Sequence, residues 1–395
     1  MTTQDLADPA LFATGIPHPL FRELRANTPV AWQPSGFWAI TRYRDVVTVL
    51  KTPRTFSSWR GGALLADPPP AFLAKLREGM LNRDPPDHTA LRRLVNKAFS
   101  PRQIERLDQR IAAHARELVA AAPEGEVFDL ARTIAGEMTL FVICEILGVP
   151  LADRAALYGL TERMFGSTIV DPKLALADGM AAAEELRSYA AELGRAKRAT
   201  PTEDILSDLL DAELDGRRLT DGEFQAFFQL LFNAGADTTR GLLCFGVDLL
   251  LDHQDQLARL RADDRLLAPA IEEMLRYEPP VIQFRRTAMH DVELAGTQIR
   301  EGDKVVVYFP SANRDEEVFP DPDRFDIART PNDHLAFGYG THFCLGAPLA
   351  RSEARHVLAA LLARFGRLER VAPIELARTN FIRTVRSLRI RGEVR

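Results

Sequence analysis

The sequence predicts a mainly α-helical protein with a minor β component, folded as one large domain over residues 1–395. Apolar residues recur at helical spacing through most of residues 88–194. Between residues 220 and 251 they cover every side of a helix, a pattern typical of a helix buried in the middle of a protein. Strand-like patterns are confined to short stretches such as residues 281–307. No flexible linker, charge block or repeat divides the chain, which favours a single unit.

The amino-terminal part contains a predicted hairpin, a helix and a long loop. Residues 30–41 alternate around Pro34-Ser35-Gly36, which predicts a short β-hairpin. Residues 43–50 have a helical pattern that ends before Pro53. Residues 57–87 are rich in glycine and proline and are too long for a simple connection, so we expect a functional lid there.

Two capping signals mark the starts of helices. Residues 100–103 form a capping box with a proline at the first helical position, and residues 220–223 repeat its logic. The second box opens the longest predicted helix, of roughly 30 residues and about 45 Å by the rise per residue. Farther along, Gly296 and Gly302 are predicted turns, and residues 380–391 are a second possible hairpin.

The amino-acid composition and net charge limit the kinds of partner that the protein can bind. Hydrophobic residues make up 46% and charged residues 27% of the chain, with a net charge of -5. These values suit a globular protein and give no basic footprint, so nucleic acid and anionic membranes are poor candidates. We find no signal-peptide pattern or membrane-spanning apolar run, and we expect a cytoplasmic protein without an anchor. Cys144, Cys244 and Cys344 lie far apart, which argues against a disulfide framework.

The most informative segment is a glycine-containing loop around Cys344. It runs Phe337-Gly338-Tyr339-Gly340-Thr341-His342-Phe343-Cys344-Leu345-Gly346. Pro348 suits the first turn of the helix that follows, which is predicted to extend over residues 349–365. Cys344 would then lie at a helix amino terminus, where we expect the dipole and the N–H groups of Leu345 and Gly346 to lower the pKa of its thiol. Such a loop can hold a thiolate against a metal ion.

The spacing F-x-x-G-x-x-x-C-x-G resembles the haem-binding loop of the cytochrome P-450 family, including its common His342 and Leu345. The resemblance extends from the first hairpin to the end of the chain and suggests the soluble bacterial branch. It implies haem b, with Cys344 as the iron ligand and Phe337 and Gly346 beside the cofactor. It also implies one domain in which the haem lies between the long central helix and the cysteine-loop helix. The alternative interpretation of Cys344 is a buried structural cysteine.

The central helix carries polar groups on an apolar face, in Ala234-Gly235-Ala236-Asp237-Thr238-Thr239. Glycine and the threonine hydroxyls weaken the helical hydrogen bonds, so we expect the helix to open locally. The resemblance implies that Asp237 and Thr238 are a catalytic acid and alcohol that deliver protons during oxygen activation. Without Cys344, a satisfied buried polar cluster would be the better interpretation.

Glu273 and Arg276 lie three residues apart on a predicted helix that ends before Pro279, so their charges can meet on one face. Taken alone, this E-x-x-R pattern is weak. In the resembled family the pair is joined by an arginine that matches Arg324, and the three support the cysteine loop. The resemblance therefore implies a structural role for all three residues.

Four basic side chains are candidates for binding the haem propionates. They are His88, Arg92, Arg286 and His342. The first two lie four apart at a helix start, the third lies on a strand-like stretch, and the fourth precedes the cysteine by two. Each matches a propionate ligand of the family, and arginine can bind a carboxylate through two hydrogen bonds. Arg93 and Arg285 are adjacent and easily confused with the donors, and a solvated charge is the alternative for each.

The resemblance also implies an apolar substrate pocket above the haem. Its predicted lining is Leu230, Asn233, Ala234, Val281, Ile282 and Phe381. The 57–87 loop and residues 165–170 are expected to complete it. The carboxy-terminal tip, residues 380–383, lacks the glycine-containing turn common in the family, so the pocket floor departs from the family pattern there.

The resemblance predicts a monooxygenase that uses O2 and two electrons to hydroxylate or otherwise oxidise an apolar small molecule. Lipids, terpenoids, steroids and secondary-metabolite intermediates all stay open as substrates. The chain has no flavin or iron–sulfur motif, so electrons would come from a separate ferredoxin and ferredoxin reductase. Their candidate docking face is Arg102, Arg106, Arg351 and Arg355. We expect a monomer.

Two alternatives keep the haem: a haem-thiolate peroxygenase and a non-catalytic haem sensor or carrier. Neither needs the acid and alcohol of the central helix, which counts against both. Other enzyme classes lack their motifs in this chain, since it has no G-x-G-x-x-G, no H-E-x-x-H and no G-x-S-x-G.

Overall fold

A computed structural model describes residues 4–98, 101–165 and 172–395. Helices account for 54% and strands for 14%, which confirms the mainly α prediction. The helices are α1 (His18–Asn27), α2 (Tyr43–Lys51), α3 (Pro70–Leu76), α4 (Asp87–Ala98), α5 (Pro101–Ala121), α6 (Glu137–Ile146), α7 (Arg154–Phe165), α8 (Pro172–Ala199), α9 (Ile205–Asp211), α10 (Asp221–Asp252), α11 (Gln254–Ala262), α12 (Leu267–Tyr277), α13 (Phe309–Ala312) and α14 (Ala347–Arg364). The strands are β1 (Val30–Gln33), β2 (Phe37–Ile40), β3 (Phe56–Ser57), β4 (Val127–Asp129), β5 (Gln283–Ala288), β6 (Val292–Leu294), β7 (Thr297–Ile299), β8 (Lys304–Tyr308), β9 (Phe365–Arg370), β10 (Glu375–Leu376), β11 (Val385–Ser387) and β12 (Arg389–Val394). None of the helices in these ranges is both long and apolar enough to cross a membrane.

The long helix α10 lies at the centre of the fold, as its apolar pattern predicts. Its capping box is confirmed: the N–H of Glu223 donates to the hydroxyl of Thr220 (3.2 Å), and the N–H of Thr220 donates to the Glu223 carboxylate (3.1 Å). Helices α6, α8, α12 and α14 all pack against α10. This packing positions the site, because α14 begins three residues after Cys344 and α10 carries the predicted acid and alcohol.

A five-stranded sheet in the order β1-β2-β8-β5-β3 forms the second part of the fold. The first predicted hairpin is confirmed, because β1 and β2 pair antiparallel and Gly36 adopts a φ of 82° in their turn. The predicted turns at Gly296 and Gly302 also have positive φ, at 78° and 87°. Strand β8 runs parallel to β2 and antiparallel to β5, so β5 lies near the sheet edge that borders the 57–87 segment.

The second predicted hairpin, over residues 380–391, is wrong. Strand β11 pairs with β10, whereas β12 pairs with β4 and β9 in a separate three-stranded sheet. Only Leu388 separates β11 from β12, and the shortest common hairpin connection has two residues. The two strands therefore diverge into different sheets.

The 57–87 segment is not a plain loop, because it contains its own short elements. Strand β3 pairs with β5, α3 occupies the middle, and a 3₁₀ turn at Met80–Asn82 precedes α4. Lys75 on α3 forms an ion pair with Glu184 on α8 (2.6 Å), so the segment reaches from the sheet to α8. Its role as a lid stays a prediction. The predicted capping residue Ser100 and pocket residues 166–170 lie outside the described residues.

A buried ion-pair network holds the segment that leads to the cysteine loop. Arg276 binds both carboxylate oxygens of Glu273 (2.7 and 2.8 Å), and both side chains are 0% exposed. The third member is Arg329, which reaches Glu273 at 3.2 Å. The assignment of Arg324 is wrong: its side chain is 64% exposed and turns toward Asp326, and only its backbone carbonyl joins the network. Arg324 and Arg329 lie on the same irregular segment, where either could approach Glu273, so the spacing in the sequence does not show which one does.

We predict that replacing Arg329 will destabilise the fold far more than replacing Arg324. The Arg329→Gln variant leaves part of the buried Glu273 charge uncompensated, and breaking such a pair costs about 3–5 kcal/mol. The Arg324→Gln variant is the matched control, since an exposed substitution changes stability by about 0.5 kcal/mol or less. Urea unfolding of both variants measures the difference, and equal losses would contradict the network described.

Candidate active site

The loop that carries Cys344 is held in shape by its own backbone. The N–H of Cys344 donates to the carbonyl of Phe337 (2.9 Å), which closes the loop before α14 begins. Gly340 has a φ of 67°, a conformation that residues with side chains rarely adopt. A Cβ at Gly340 would lie 2.9 Å from the carbonyl oxygen of Leu50 at the end of α2. This glycine therefore permits both the turn and the close approach of the loop to α2.

Burial acts against ionisation of Cys344. Although the residue is exposed in the fold, the protein atoms around its sulfur desolvate it and raise the pKa of the thiol. The N–H groups of Gly346 and Ala347 and the charges of Arg92 and Arg351 act in the opposite direction. The predicted net lowering of this pKa is therefore wrong. Of the two expected N–H donors, Gly346 is confirmed, and Ala347 takes the place of Leu345. A metal cation displaces the proton of a bound thiol in spite of such a shift, so the loop still suits metal ligation.

The four basic side chains predicted to bind propionates meet beside this loop. The rings of His88 and His342 lie 4.2 Å apart, and Arg92 donates to the carbonyl of Phe343 (2.8 Å). Burial, together with the charges of Arg286, His88 and Arg92, lowers the pKa of His342 well below its usual value. Burial followed by the charge of Arg92 lowers the pKa of His88 to about 4. Burial lowers the pKa of Arg286 to about 10. Each positive charge in this cluster therefore disfavours the protonated form of its neighbours.

Few protein groups compensate this cluster. His88 is 1% exposed, and neither of its ring nitrogens has a hydrogen-bond partner within the described residues. Arg286 donates to the carbonyl of Arg285 (2.8 Å). Within residues 4–98, 101–165 and 172–395, no carboxylate forms an ion pair with any of the four side chains. The charge of Asp84 acts on His88 and Arg286, but its carboxylate accepts hydrogen bonds from the hydroxyl of Ser57 and the N–H of Ser58 instead. Buried donors of this kind favour an anionic ligand.

The structure separates these donors from their neighbours in sequence. Arg285 forms an ion pair with Asp67 (2.6 Å) and donates to the carbonyls of Leu64 (3.2 Å) and Leu65 (3.3 Å). Side chains alternate between the two faces of a strand, which explains why adjacent arginines on β5 have different partners. Arg93 is exposed on α4. Arg285 therefore anchors the 57–87 segment to the sheet.

The predicted acid and alcohol on α10 use different partners. The hydroxyl of Thr238 donates to the carbonyl of Ala234 one turn earlier (2.6 Å). Asp237 is buried, forms an ion pair with Arg240 (2.7 Å) and accepts from the hydroxyl of Thr384 (3.1 Å). The predicted local opening of the helix is wrong, since α10 is continuous and the threonine adds its bond without interrupting it.

The predicted pocket residues differ in exposure, and one of them is misplaced. Ala234 is exposed although it lies in the middle of the central helix. Partly exposed are Leu230, Asn233, Val281 and Phe381. Ile282 is wrong as a pocket residue, because it is 0% exposed and packs in a core cluster with Phe12 and Tyr308. Consecutive residues of an extended segment point to opposite sides, so Val281 and Ile282 cannot face the same cavity.

Comparisons with known proteins identify the fold. The family model of cytochrome P-450 matches residues 163–378. The chain is 42% identical to putative cytochrome P-450 126 of Mycobacterium tuberculosis, over 95% of this chain and 94% of that protein. It is 34% identical to linalool 8-monooxygenase of Pseudomonas putida, over 99% of each. A Mycobacterium marinum cytochrome P-450 solved in complex with pseudoionone superimposes with a TM-score of 0.90 at 37% identity, covering 99% of this chain and 98% of that one.

This chain belongs to the cytochrome P-450 family. As a member it binds haem b and is a haem-thiolate monooxygenase, as the resemblance of the cysteine loop implied. The residues present fit that cofactor. The ring nitrogens of His88 have no partner within the described residues and can donate to a carboxylate, as can Arg92 and Arg286, whose hydrogen bonds go to backbone carbonyls. Gly346 lies beside the sulfur, where an added Cβ would be 3.9 Å from Sγ of Cys344.

Several residues of this P-450 site were missed from the sequence. Arg240 follows Asp237 by three residues on a helix, and that spacing was a signal that could have found it. Thr384 and Asp67 gave no signal, because they lie 147 and 218 residues from the groups they bind. Arg329 was passed over in favour of the neighbouring Arg324.

We predict that Gly340→Ala will be much more harmful to this P-450 than Gly36→Ala. Both glycines have positive φ, which costs other residues about 1–2 kcal/mol, but a Cβ at Gly36 meets no atom within 4 Å. A Cβ at Gly340 also strikes the backbone of Leu50, so the loop must shift. Haem content after purification and the melting temperature measure the effect. Equal haem content in the two variants would contradict it.

Proposed function

We propose that this P-450 hydroxylates or otherwise oxidises an apolar small molecule, with acyclic terpenoids as the favoured class. The relative that spans 99% of both chains is named for the oxidation of linalool, and the solved Mycobacterium marinum relative is bound to pseudoionone. Other relatives act on steroids and lipids, which together with secondary-metabolite intermediates are the alternative substrates. The observation that carries the proposal is one buried amide oxygen on α10 that has no hydrogen-bond partner within the described residues.

That amide belongs to Asn233. Its Oδ1 is buried and has no hydrogen-bond partner within the described residues. Asn233 directly precedes the exposed Ala234, and the apolar side chains of Leu230, Val281 and Phe381 are the other proposed walls. A terpenoid alcohol satisfies both kinds of surface, because its hydroxyl can donate to Oδ1 while its chain covers the apolar walls.

In this proposal Cys344 ligates the iron, and His88, Arg92, Arg286 and His342 bind the propionates. Phe337 lies beside the thiolate and keeps water from it, while Gly346 leaves room for the macrocycle. When bound, the haem supplies the iron at which O2 is activated. The ring nitrogens of His88, which have no partner within the described residues, support the assignment of the propionates.

Thr238 and Asp237 handle protons in the proposed reaction. The hydroxyl of Thr238 is oriented by the carbonyl of Ala234, so its oxygen is held in one rotamer next to the exposed Ala234. Asp237 is fixed by Arg240 and Thr384 and lies next to Thr238 on the same helix. We assign to Asp237 the relay of protons from solvent, and to Thr238 their delivery to the pocket.

Electrons are proposed to reach the protein, acting as a monomer, from a separate ferredoxin and its reductase. The side chains of Arg106 and Arg355 are 55% and 51% exposed, although each is paired with an acid, Glu203 or Asp108. These two arginines are the candidate docking charges, since an acidic partner can compete for exposed pairs. The side chain of Arg102 lies outside the described residues.

We predict that Thr238→Ala will uncouple the reaction. Reductant will still be consumed, but product will fall by an order of magnitude or more, because positioned proton transfer is typically worth about 10²–10⁴-fold. The ratio of product to reductant consumed, measured with a surrogate ferredoxin system, tests this. Thr238→Ser keeps the hydroxyl and is expected to stay coupled. Unchanged coupling in the alanine variant would favour a peroxygenase, which product formation with hydrogen peroxide alone would reveal.

We also predict a selective effect of Asn233→Leu on substrate binding. Losing one hydrogen bond worth about 0.5–1.5 kcal/mol should weaken a terpenoid alcohol roughly 2–10-fold, as measured by the spin-state shift of the Soret band. The matched hydrocarbon without the hydroxyl should bind both proteins alike. An equal loss for both ligands would remove Asn233 from recognition. Tighter binding of a steroid than of any acyclic terpenoid would change the substrate class.

A further inference from the structure

A second polar cluster joins helices α12 and α14 to the cysteine loop. Arg351 on α14 donates from Nε and Nη2 to the two carboxylate oxygens of Glu272 on α12, each at 2.7 Å. Such a two-bond contact fixes the plane of the guanidinium. Glu272 is the neighbour of Glu273, yet it takes no part in the buried network around Arg276. Arg351 was predicted to lie on a docking face, and its contact with Glu272 was not expected from the sequence.

His334 connects the same carboxylate to the start of the loop. Its Nδ1 accepts from the N–H of Ala336 (3.2 Å), so the ring proton lies on Nε2, which is 3.2 Å from Glu272 and donates to it. Ala336 is followed by Phe337, whose carbonyl accepts a hydrogen bond from the N–H of Cys344. Glu272 is therefore linked to the cysteine loop through the backbone as well as through Arg351.

Arg351 also packs the aromatic side chains beside the sulfur. Its guanidinium carbon lies 4.6 Å from the ring centroid of Phe337, within cation–π range. Phe337 in turn packs against Phe343, with the ring centroids 6.2 Å apart. The charge of Arg351 acts on Cys344 itself and favours its thiolate form. Arg351 thus combines a packing contact with an electrostatic one at the same loop.

Glu272 opposes that charge. Burial alone would raise the pKa of Glu272, but hydrogen bonds from Arg351 and His334 outweigh it and lower the pKa to about 2. The group is therefore a carboxylate at neutral pH. Because it is bound directly to the guanidinium, the field of Arg351 at the sulfur is reduced by a fixed negative charge.

We propose that Arg351 and Glu272 are a matched pair of positioning residues that sets the electron donation of Cys344 and so the reduction potential of the haem. The inference rests on the proposed ligation of the iron by Cys344. A positive charge near the sulfur stabilises the reduced, more negative centre, and a carboxylate destabilises it. This role also makes Arg351 a weaker docking charge than Arg106 or Arg355, because its side chain is less exposed (39%) and is held by two hydrogen bonds to Glu272.

The test compares the reduction potentials of holoprotein variants by spectroelectrochemical titration. Arg351→Gln should shift the potential in the negative direction, because a positive charge is lost. Glu272→Gln should shift it in the positive direction, because Arg351 then acts without a counter-charge. The double variant should lie near the wild type, since both charges are gone. A purely structural role predicts instead that both single variants disturb the loop in the same way.

Two further variants serve as controls. Arg355→Gln removes a charge one turn along α14 whose partner is Asp108 on α5, and it should leave the potential unchanged. Arg351→Lys keeps the charge but loses the planar contact with Glu272 and Phe337. Its potential should stay near that of the wild type, while the red-shifted Soret band of its ferrous carbon monoxide complex should decay several-fold faster.

Potentials that shift in the same direction in both single variants, or that do not move in either, would overturn the inference. If Arg351→Gln fails to retain haem, Glu272→Gln decides alone: a positive shift supports the pair, and no shift overturns it. Failure of the proposed iron ligand has a different signature. It would appear in the wild-type protein, as a carbon monoxide complex without the red-shifted band of sulfur ligation.

Discussion

The course of the segment that leads to Cys344 depends on the hydrogen bonds of the buried Arg276 guanidinium. Residues 313–339 contain no helix or strand, so their carbonyls need donors from elsewhere. Arg276 binds Glu273 and also donates to the carbonyls of Asn313, Pro322 and Arg324. Burying such a pair costs several kcal/mol per ion unless its hydrogen bonds are complete. The network therefore specifies one course for the irregular segment, which is the requirement for a loop that must present a single sulfur.

Beyond this scaffold, the site contains groups that a stable fold would avoid. Two histidines and two arginines are crowded beside the cysteine loop, and His88 is buried without a partner for either ring nitrogen within the described residues. Burial also raises the pKa of the Cys344 thiol, so the loop alone does not favour a thiolate. Both features cost stability in the protein by itself, and the proposed binding of the haem iron by Cys344 and of the propionates by the basic cluster would offset that cost. Conflicts between local chemistry and burial concentrate at functional sites for this reason.

The sequence was a good guide to elements with strong local signals and a poor guide to partners. The central helix, its capping box and the first hairpin follow from apolar periodicity, a four-residue cap and a glycine at positive φ. Residues 380–391 have equally clear strand patterns, yet their two strands join different sheets. Ile282 was placed in the pocket beside Val281, although neighbours on an extended segment must face opposite ways.

By itself, the sequence determined the long central helix, the helix after the cysteine loop, the predicted glycine turns, and the cysteine loop with its family, because these depend on residues within a few positions of one another. Only the tertiary structure decided that Arg286 joins the basic cluster while Arg285 anchors the 57–87 segment, and that Arg329 rather than Arg324 closes on Glu273. It also decided that Arg351 is held by Glu272, 79 residues earlier in the chain. In each case, the partner of the arginine is the charged group that folding brings within a few ångströms of it. Nearby residues of the same type look equivalent in a sequence. Their burial and the direction of their side chains distinguish them only in the folded protein.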